Sequence, residues 1–155
     1  MNGNRGCSVN IEILEAKKED LPSILKLYAV EDIDNGDMLS IGKAEVIFNR
    51  MQSYPNYKIY IAKYNGKTVG TFSLSIMDNI AHLGKSSGLV EDVVVDNTMR
   101  SKGIGKIMME YAMKICKENN CYKMSLSSNL KRERAHSFYE KLGFEKHGFS
   151  FLIKI

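Results

Sequence analysis

The stretch Arg100-Ser101-Lys102-Gly103-Ile104-Gly105-Lys106 places three cations and two glycines within seven residues and holds no acid. Such a loop suits an anion. A helix N-terminus carries unpaired backbone N–H groups and the positive end of the macrodipole, and a glycine turn opening it lets a phosphate come close to the backbone. The flanking residues supply that setting. Leu89-Val90-Glu91-Asp92-Val93-Val94-Val95 reads as a buried strand, and Ile104, Ile107, Met108, Tyr111, Ala112 and Ile115 fall on one face of a helix. The order strand, glycine turn, helix points to a phosphate-rich ligand.

Two phosphate loops are excluded by single residues. A nucleoside-triphosphate loop, G-x-x-x-x-G-K-[ST], needs a hydroxyl after its lysine, and Ile107 follows Lys106. A dinucleotide fingerprint, G-x-G-x-x-G, needs a third glycine where Met108 stands, and a bulky side chain there blocks close packing of helix on strand. The pattern that remains is R-x-x-G-x-G after a strand.

The other elements follow from periodicity and turn residues. Asn10 to Ala16 reads as a first strand, and Asp20 caps a helix whose buried face is Leu21, Ile24, Leu25 and Tyr28. The acidic segment Glu31 to Asp37, with Asn35-Gly36 as a turn signal, is a loop able to attract a cationic amine if it lies near a site. Ser40 to Gln52 is a second helix on the spacing of Ile41, Ala44, Ile47, Phe48 and Met51, stopping before Pro55. Tyr57 to Tyr64 and Thr68 to Ser75 form a hairpin through Asn65-Gly66. Gly84, Ser86, Ser87 and Gly88 suggest a bend or bulge, and His82-Leu83-Gly84 the start of the next strand. After the central helix come an Asn119-Asn120 stop, a strand at Tyr122 to Ser127, and a helix with Ala135, Phe138, Tyr139 and Leu142 on its face, ended by Gly143. Phe149, Phe151, Ile153 and Ile155 alternate as a final strand.

The Arg100-x-x-Gly103-x-Gly105 pattern resembles the pyrophosphate-binding motif of the GNAT superfamily of acyl-CoA N-acyltransferases. A second block, Phe138-Tyr139-Glu140-Lys141-Leu142-Gly143-Phe144, is similar to the F-Y-x-x-x-G-F segment of the same family, one helix and one strand further on. The resemblance runs from about Ile11 to the end and is strongest from Val90 to Phe144. It implies an α/β (α+β) fold: a central mixed sheet of six or seven strands with about four helices, splayed open between the strand of Glu91 and that of Met124. Acetyl-CoA, as co-substrate, lies in the opening. The backbone of Val93 and Val95 would line its pantetheine arm. Ser101, Gly103, Ile104 and Gly105, with Arg100, Lys102 and Lys106, would hold its pyrophosphate. Asn129 and Phe138 fall on the cofactor side, although a turn role for Asn129 is equally open. Lys131, Arg132 and Arg134 either meet the ribose phosphate or form a solvated helix start.

The reaction defines the remaining residues. An ammonium must lose a proton before its nitrogen attacks a thioester, and the departing thiolate must gain one. Tyr139 stands where the family places a tyrosine beside the sulfur, and a phenol can donate there. Glu91 and Asp92 are adjacent on a strand and face opposite sides. Glu91 shares parity with Val93 and Val95, so it is the expected base, directly or through water, with Asp92 structural.

The substretch Asn129 to Arg132 with Ala135 to Tyr139 is similar to aminoalkylphosphonate acetyltransferases, and Val90 to Val95 resembles glucosamine-6-phosphate acetyltransferases. The expected acceptor is a small primary amine, with polyamines, amino acids, aminoglycosides and protein N-termini open. A binding module without turnover is the competing class, disfavoured by the presence of both Glu91 and Tyr139.

Composition narrows the setting. The chain of 155 residues, 44% hydrophobic and 26% charged, is expected to be one domain, residues 1–155, with 1–8 a tail. A polar start and three cysteines without a C-x-x-C pair suit a cytoplasmic protein. His82, His136 and His147 lack the spacing of a metal set, so no metal is expected. A net charge of +4 with interspersed acids fits a small anion better than nucleic acid, and no apolar run suits a membrane span. The apolar last strand would expose an edge, which makes a homodimer the expected partner state.

Overall fold

The computed structural model describes residues 10–30 and 33–155. The expected tail at 1–8, and Glu31 and Asp32 of the acidic loop, lie outside the described residues. Nine elements follow in order: β1 (Ile11–Glu15), α1 (Leu21–Tyr28), α2 (Ile41–Met51), β2 (Tyr57–Tyr64), β3 (Lys67–Met77), β4 (Ser87–Val95), α3 (Ile104–Glu118), β5 (Lys123–Ser125) and α4 (Glu133–Lys141). The strands form one five-stranded sheet in the order β1-β2-β3-β4-β5, antiparallel except for the parallel pair β4 and β5.

Local chemistry explains most of these elements. Asn65 and Gly66 take φ of 49° and 75°, the paired positive angles of a tight hairpin turn, and join β2 to β3. Asn120 at φ 52° ends α3. Asp20 differs from expectation: its carboxylate accepts the Lys17 amide at 2.9 Å and meets Lys63 Nζ at 3.1 Å, so it closes the short turn before α1 instead of capping α1 itself.

Helices cover both faces of the sheet. Ile104, Met108, Met109, Ala112 and Cys116 of α3 pack with Tyr60, Ala62, Phe72, Leu74 and Val90 on one face. On the other, Leu21, Ile24 and Leu25 of α1 and Ala44 and Phe48 of α2 pack with Ala16 and Ile61. Ile41 and Ile47, expected on the buried face of α2, stand exposed.

The six- or seven-stranded sheet is corrected to five. Residues 145–155 carry the alternation of a strand, but every one is exposed, and among the described residues no backbone hydrogen bond ties them to the sheet. Alternation prepares a strand; only a partner edge makes one. The segment His82-Leu83-Gly84 is likewise a turn with three positive φ angles, and the strand begins at Ser87.

Candidate active site

Strand β4 is where the sheet comes apart. It pairs with β5 only through Ser87↔Lys123, Gly88↔Met124 and Leu89↔Ser125, whereas its pairing with β3 runs on to Val95. From Val90 onward β4 therefore has a neighbour on one side only. Its free side offers backbone donors and acceptors to an extended ligand.

A β-bulge interrupts the same strand. Ser73 pairs with Glu91 and Thr71 with Val94, so Asp92 and Val93 together oppose Phe72, and Asp92 adopts φ 51°. Asp tolerates this left-handed conformation better than most residues. The bulge overturns the parity used to choose Glu91. Val90 pairs with Leu74, and both pack on the α3 face; Glu91 and its partner Ser73, one residue along, therefore face α1. Val93 and Val95 return to the α3 side, where they pack against the core of that face. Glu91 is exposed, and its carbonyl accepts the Ser73 hydroxyl at 3.3 Å.

Asp92 is exposed as well, but its surroundings favour its neutral form. Desolvation by the protein around it, and then the Asp34 carboxylate, push its pKa up. Burial, and then Asp92, raise the pKa of Tyr28, with Thr71 acting in the opposite sense. The acidic loop thus reaches β4 through Asp34. Tyr28 reads in the sequence as a core residue; its position at the end of α1, just before the acidic run, was the only signal of this neighbourhood.

Beyond β4, Asp96 Oδ1 accepts the Thr98 amide at 2.8 Å and the Thr98 hydroxyl at 2.7 Å, which holds the turn at Asn97–Met99 and keeps the Asp96 pKa low. Ser101 and Gly103 follow at φ 64° and 79°, and α3 opens at Ile104. The amide of Ile107 is bonded to the Gly103 carbonyl, so the N–H groups of Ile104, Gly105 and Lys106 lie ahead of the backbone ladder. A Cβ at Gly105 would come within 3.1 Å of the Phe138 ring, so this glycine lets α4 seat against the start of α3.

That contact brings Tyr139 to the site. Its ring meets Phe138 and Phe144 edge-on at 5.1 and 5.6 Å, and it packs on the same core face as Ile104, Val93 and Val95. Burial raises the pKa of its phenol, with Arg132 acting in the opposite sense. The phenol is a protonated donor at neutral pH. Asn129 Oδ1 accepts the Lys131 amide at 3.0 Å, the turn role left open for it, and its carbonyl lies 2.9 Å from His136 Nε2. Ser128, absent from the sequence reasoning, buries a hydroxyl oxygen that lacks a hydrogen-bond partner in this structure.

Among the described residues no three His, Cys, Asp or Glu side chains gather as a metal site, and no helix is long and apolar enough to cross a membrane. Parted strands, a glycine turn at a helix start and a half-buried phenol together fit an acyl-CoA-dependent transferase. The profile of the Acetyltransferase (GNAT) family matches residues 21–144, and the chain belongs to that family of acetyl-CoA-using N-acetyltransferases. It is 32% identical over 140 residues to a glucosamine 6-phosphate N-acetyltransferase of Trypanosoma brucei brucei, covering 90% of this chain and 92% of that one. It is 31% identical over 97 residues to an aminoalkylphosphonate N-acetyltransferase of Salmonella typhimurium, covering 63% and 62%. A putative acetyltransferase from Agrobacterium tumefaciens superimposes with a TM-score of 0.87 at 30% identity, over 93% of this chain and 99% of that one.

Proposed function

We propose that this acetyltransferase moves the acetyl group of acetyl-CoA directly to the primary amine of a small molecule while both are bound. The observation that carries the reading is the parting of β4 from β5 beyond Leu89, with Glu91 on the α1 face of β4 and Tyr139 against the core of the α3 face. Direct transfer needs a base on the amine side and an acid on the sulfur side. Glu91, itself or through a water, takes the proton the ammonium must lose. The nitrogen adds to the thioester carbonyl, the C–S bond breaks, and Tyr139 gives its proton to the departing sulfur. The proton still on nitrogen then restores the phenol.

Acetyl-CoA extends β4 through the backbone of Val93 and Val95, and its pyrophosphate rests on the amides of Gly103, Ile104 and Gly105. Arg100, Ser101, Lys102 and Lys106 surround it. Lys106 is paired with Glu110 only at 3.8 Å on the surface, a weak hold that a phosphate displaces. Phe138 seats the helix behind the cofactor, and Asn129 has its amide NH2 left to donate. The Asp34 carboxylate disfavours the charge of Asp92, and an ammonium beside Asp92 relieves it. Two of the relatives named above act on amines that also carry a phosphate or phosphonate, so such acceptors head the candidates. Cys116 and Cys121 are free thiols, which suits the reducing cytoplasm. The enzyme works as a homodimer, on the strength of its exposed apolar tail.

A thiol-release assay with amino-sugar phosphates, aminoalkylphosphonates, polyamines and amino acids tests this reading. Turnover on at least one small amine is the expected result. Acetyl-CoA binding with no turnover on any member would leave a protein amine as acceptor or a binding role without catalysis.

A further inference from the structure

Cys116 and Cys121 are two thiols that the proposed reaction does not use, and the end of α3 brings them together. The Cys121 amide donates to the Cys116 carbonyl at 3.0 Å, the Asn120 amide donates to the Lys117 carbonyl at 3.1 Å, and Asn120 sits at φ 52°. This is the Schellman stop of a helix, which folds the chain back so that the side chains at its two ends meet. Apolar side chains are the usual occupants of those two places. Here both are cysteines, Cys116 buried and Cys121 half-buried, packed into one core.

The pair sits where three elements meet. Cys116 belongs to the buried face of α3, Cys121 stands just before β5, and a Cβ on Gly88 of β4 would collide with Cys116 Sγ. Gly88 pairs with Met124, next to Leu89↔Ser125, the last pairing ahead of the opening. We propose that Cys116 and Cys121 are a redox pair, which a small disulfide converts to an intramolecular disulfide that fastens α3 to β5 and resists the parting of β4 from β5. The Cys121 thiolate, the more exposed, attacks one sulfur of the small disulfide and expels the other half, which leaves with the proton as a thiol. Cys116 then attacks the Cys121 sulfur, gives up its proton and releases the second thiol. Two electrons and two protons leave the chain, and one small disulfide becomes two thiols. Burial raises the pKa of both cysteines, Cys116 to about 12, so the pair rests as a dithiol and exchanges slowly.

Trypsin cuts after Lys114, Lys117 and Lys123, so a bond between Cys116 and Cys121 joins two separate peptides. The full chain carrying Cys7→Ser, incubated to equilibrium with oxidised glutathione, alkylated and digested, is expected to yield those joined peptides, and dithiothreitol to abolish them. Calorimetric titration is expected to show acetyl-CoA binding weakened about fivefold or more by the oxidation and restored by dithiothreitol. With Cys121→Ser added, oxidised glutathione is expected to leave the affinity unchanged. Thiols that stay free, or a glutathione adduct that Cys116 does not displace, would overturn the redox pair. A bond formed with the affinity for acetyl-CoA unchanged would overturn the fastening. The effect on acetyl-CoA rests on the cleft proposed above; a reduced chain that binds no acetyl-CoA would contradict the cleft, while the joined peptides still decide the disulfide.

Discussion

Asp92 is the residue whose conformation the site depends on, because its left-handed backbone separates Glu91 from Val93 across the two faces of the sheet. Its carboxyl binds a proton more readily in the folded chain than in the unfolded one. The sign follows: the charge costs stability once pH rises above the ordinary carboxylate range, and the cost is absent below it. Asp92→Asn is therefore expected to raise the melting temperature at pH 7 and to leave it unchanged at pH 3, as thermal denaturation at the two values will show. At Tyr139 burial raises the pKa, so the phenol stays protonated at neutral pH and its ionisation should not depress turnover there. Tyr139→Phe is expected to lower kcat by roughly 10²–10⁴-fold, the usual worth of a general acid, with acetyl-CoA affinity nearly unchanged. Glu91→Gln should remove the ionisation that a base contributes to the kcat/KM profile. An unchanged profile would place the base elsewhere.

Among the elements, the join between β4 and α3 is the tightest. A Cβ at Gly88 would collide with Cys116 Sγ, and Gly88 belongs to the last stretch in which β4 and β5 still pair. Gly88→Ala is expected to cost about 1–3 kcal/mol through overpacking, and the added Cys116→Ala to recover most of it, in a denaturant-based double-mutant cycle. How much of this was legible in the sequence varied with the range of the interaction. The hairpin at Asn65-Gly66 and the stop at Asn120 are local, and their residues announce them. The glycine turn that opens α3 was equally plain, because its residues are contiguous. The bulge was not: a left-handed Asp in a run of valines carries no glycine to mark it, and strict alternation across it gave Glu91 the wrong face. The sequence does not show what Gly105 packs against, since its contact with Phe138 depends on a helix about thirty residues away.

For the whole molecule, the sheet separates the helices, with α1 and α2 packed on one face and α3 and α4 on the other, and the proposed reaction uses the first as the acceptor side and the second as the cofactor side. The alternating tail shows where sequence reading ends. Phe149 to Ile155 has the pattern of a strand, yet the pattern does not say which edge receives it, and within one copy none does. The central claim is that the opening of β4 from β5 receives acetyl-CoA with its pyrophosphate on the Arg100–Lys106 loop. Calorimetric titration of acetyl-CoA into the purified chain tests it most directly, run beside the variant Arg100→Gln with Lys102→Gln. One site per chain, weakened about tenfold or more in the variant, is the predicted result; absence of binding, or equal binding by both proteins, would contradict it.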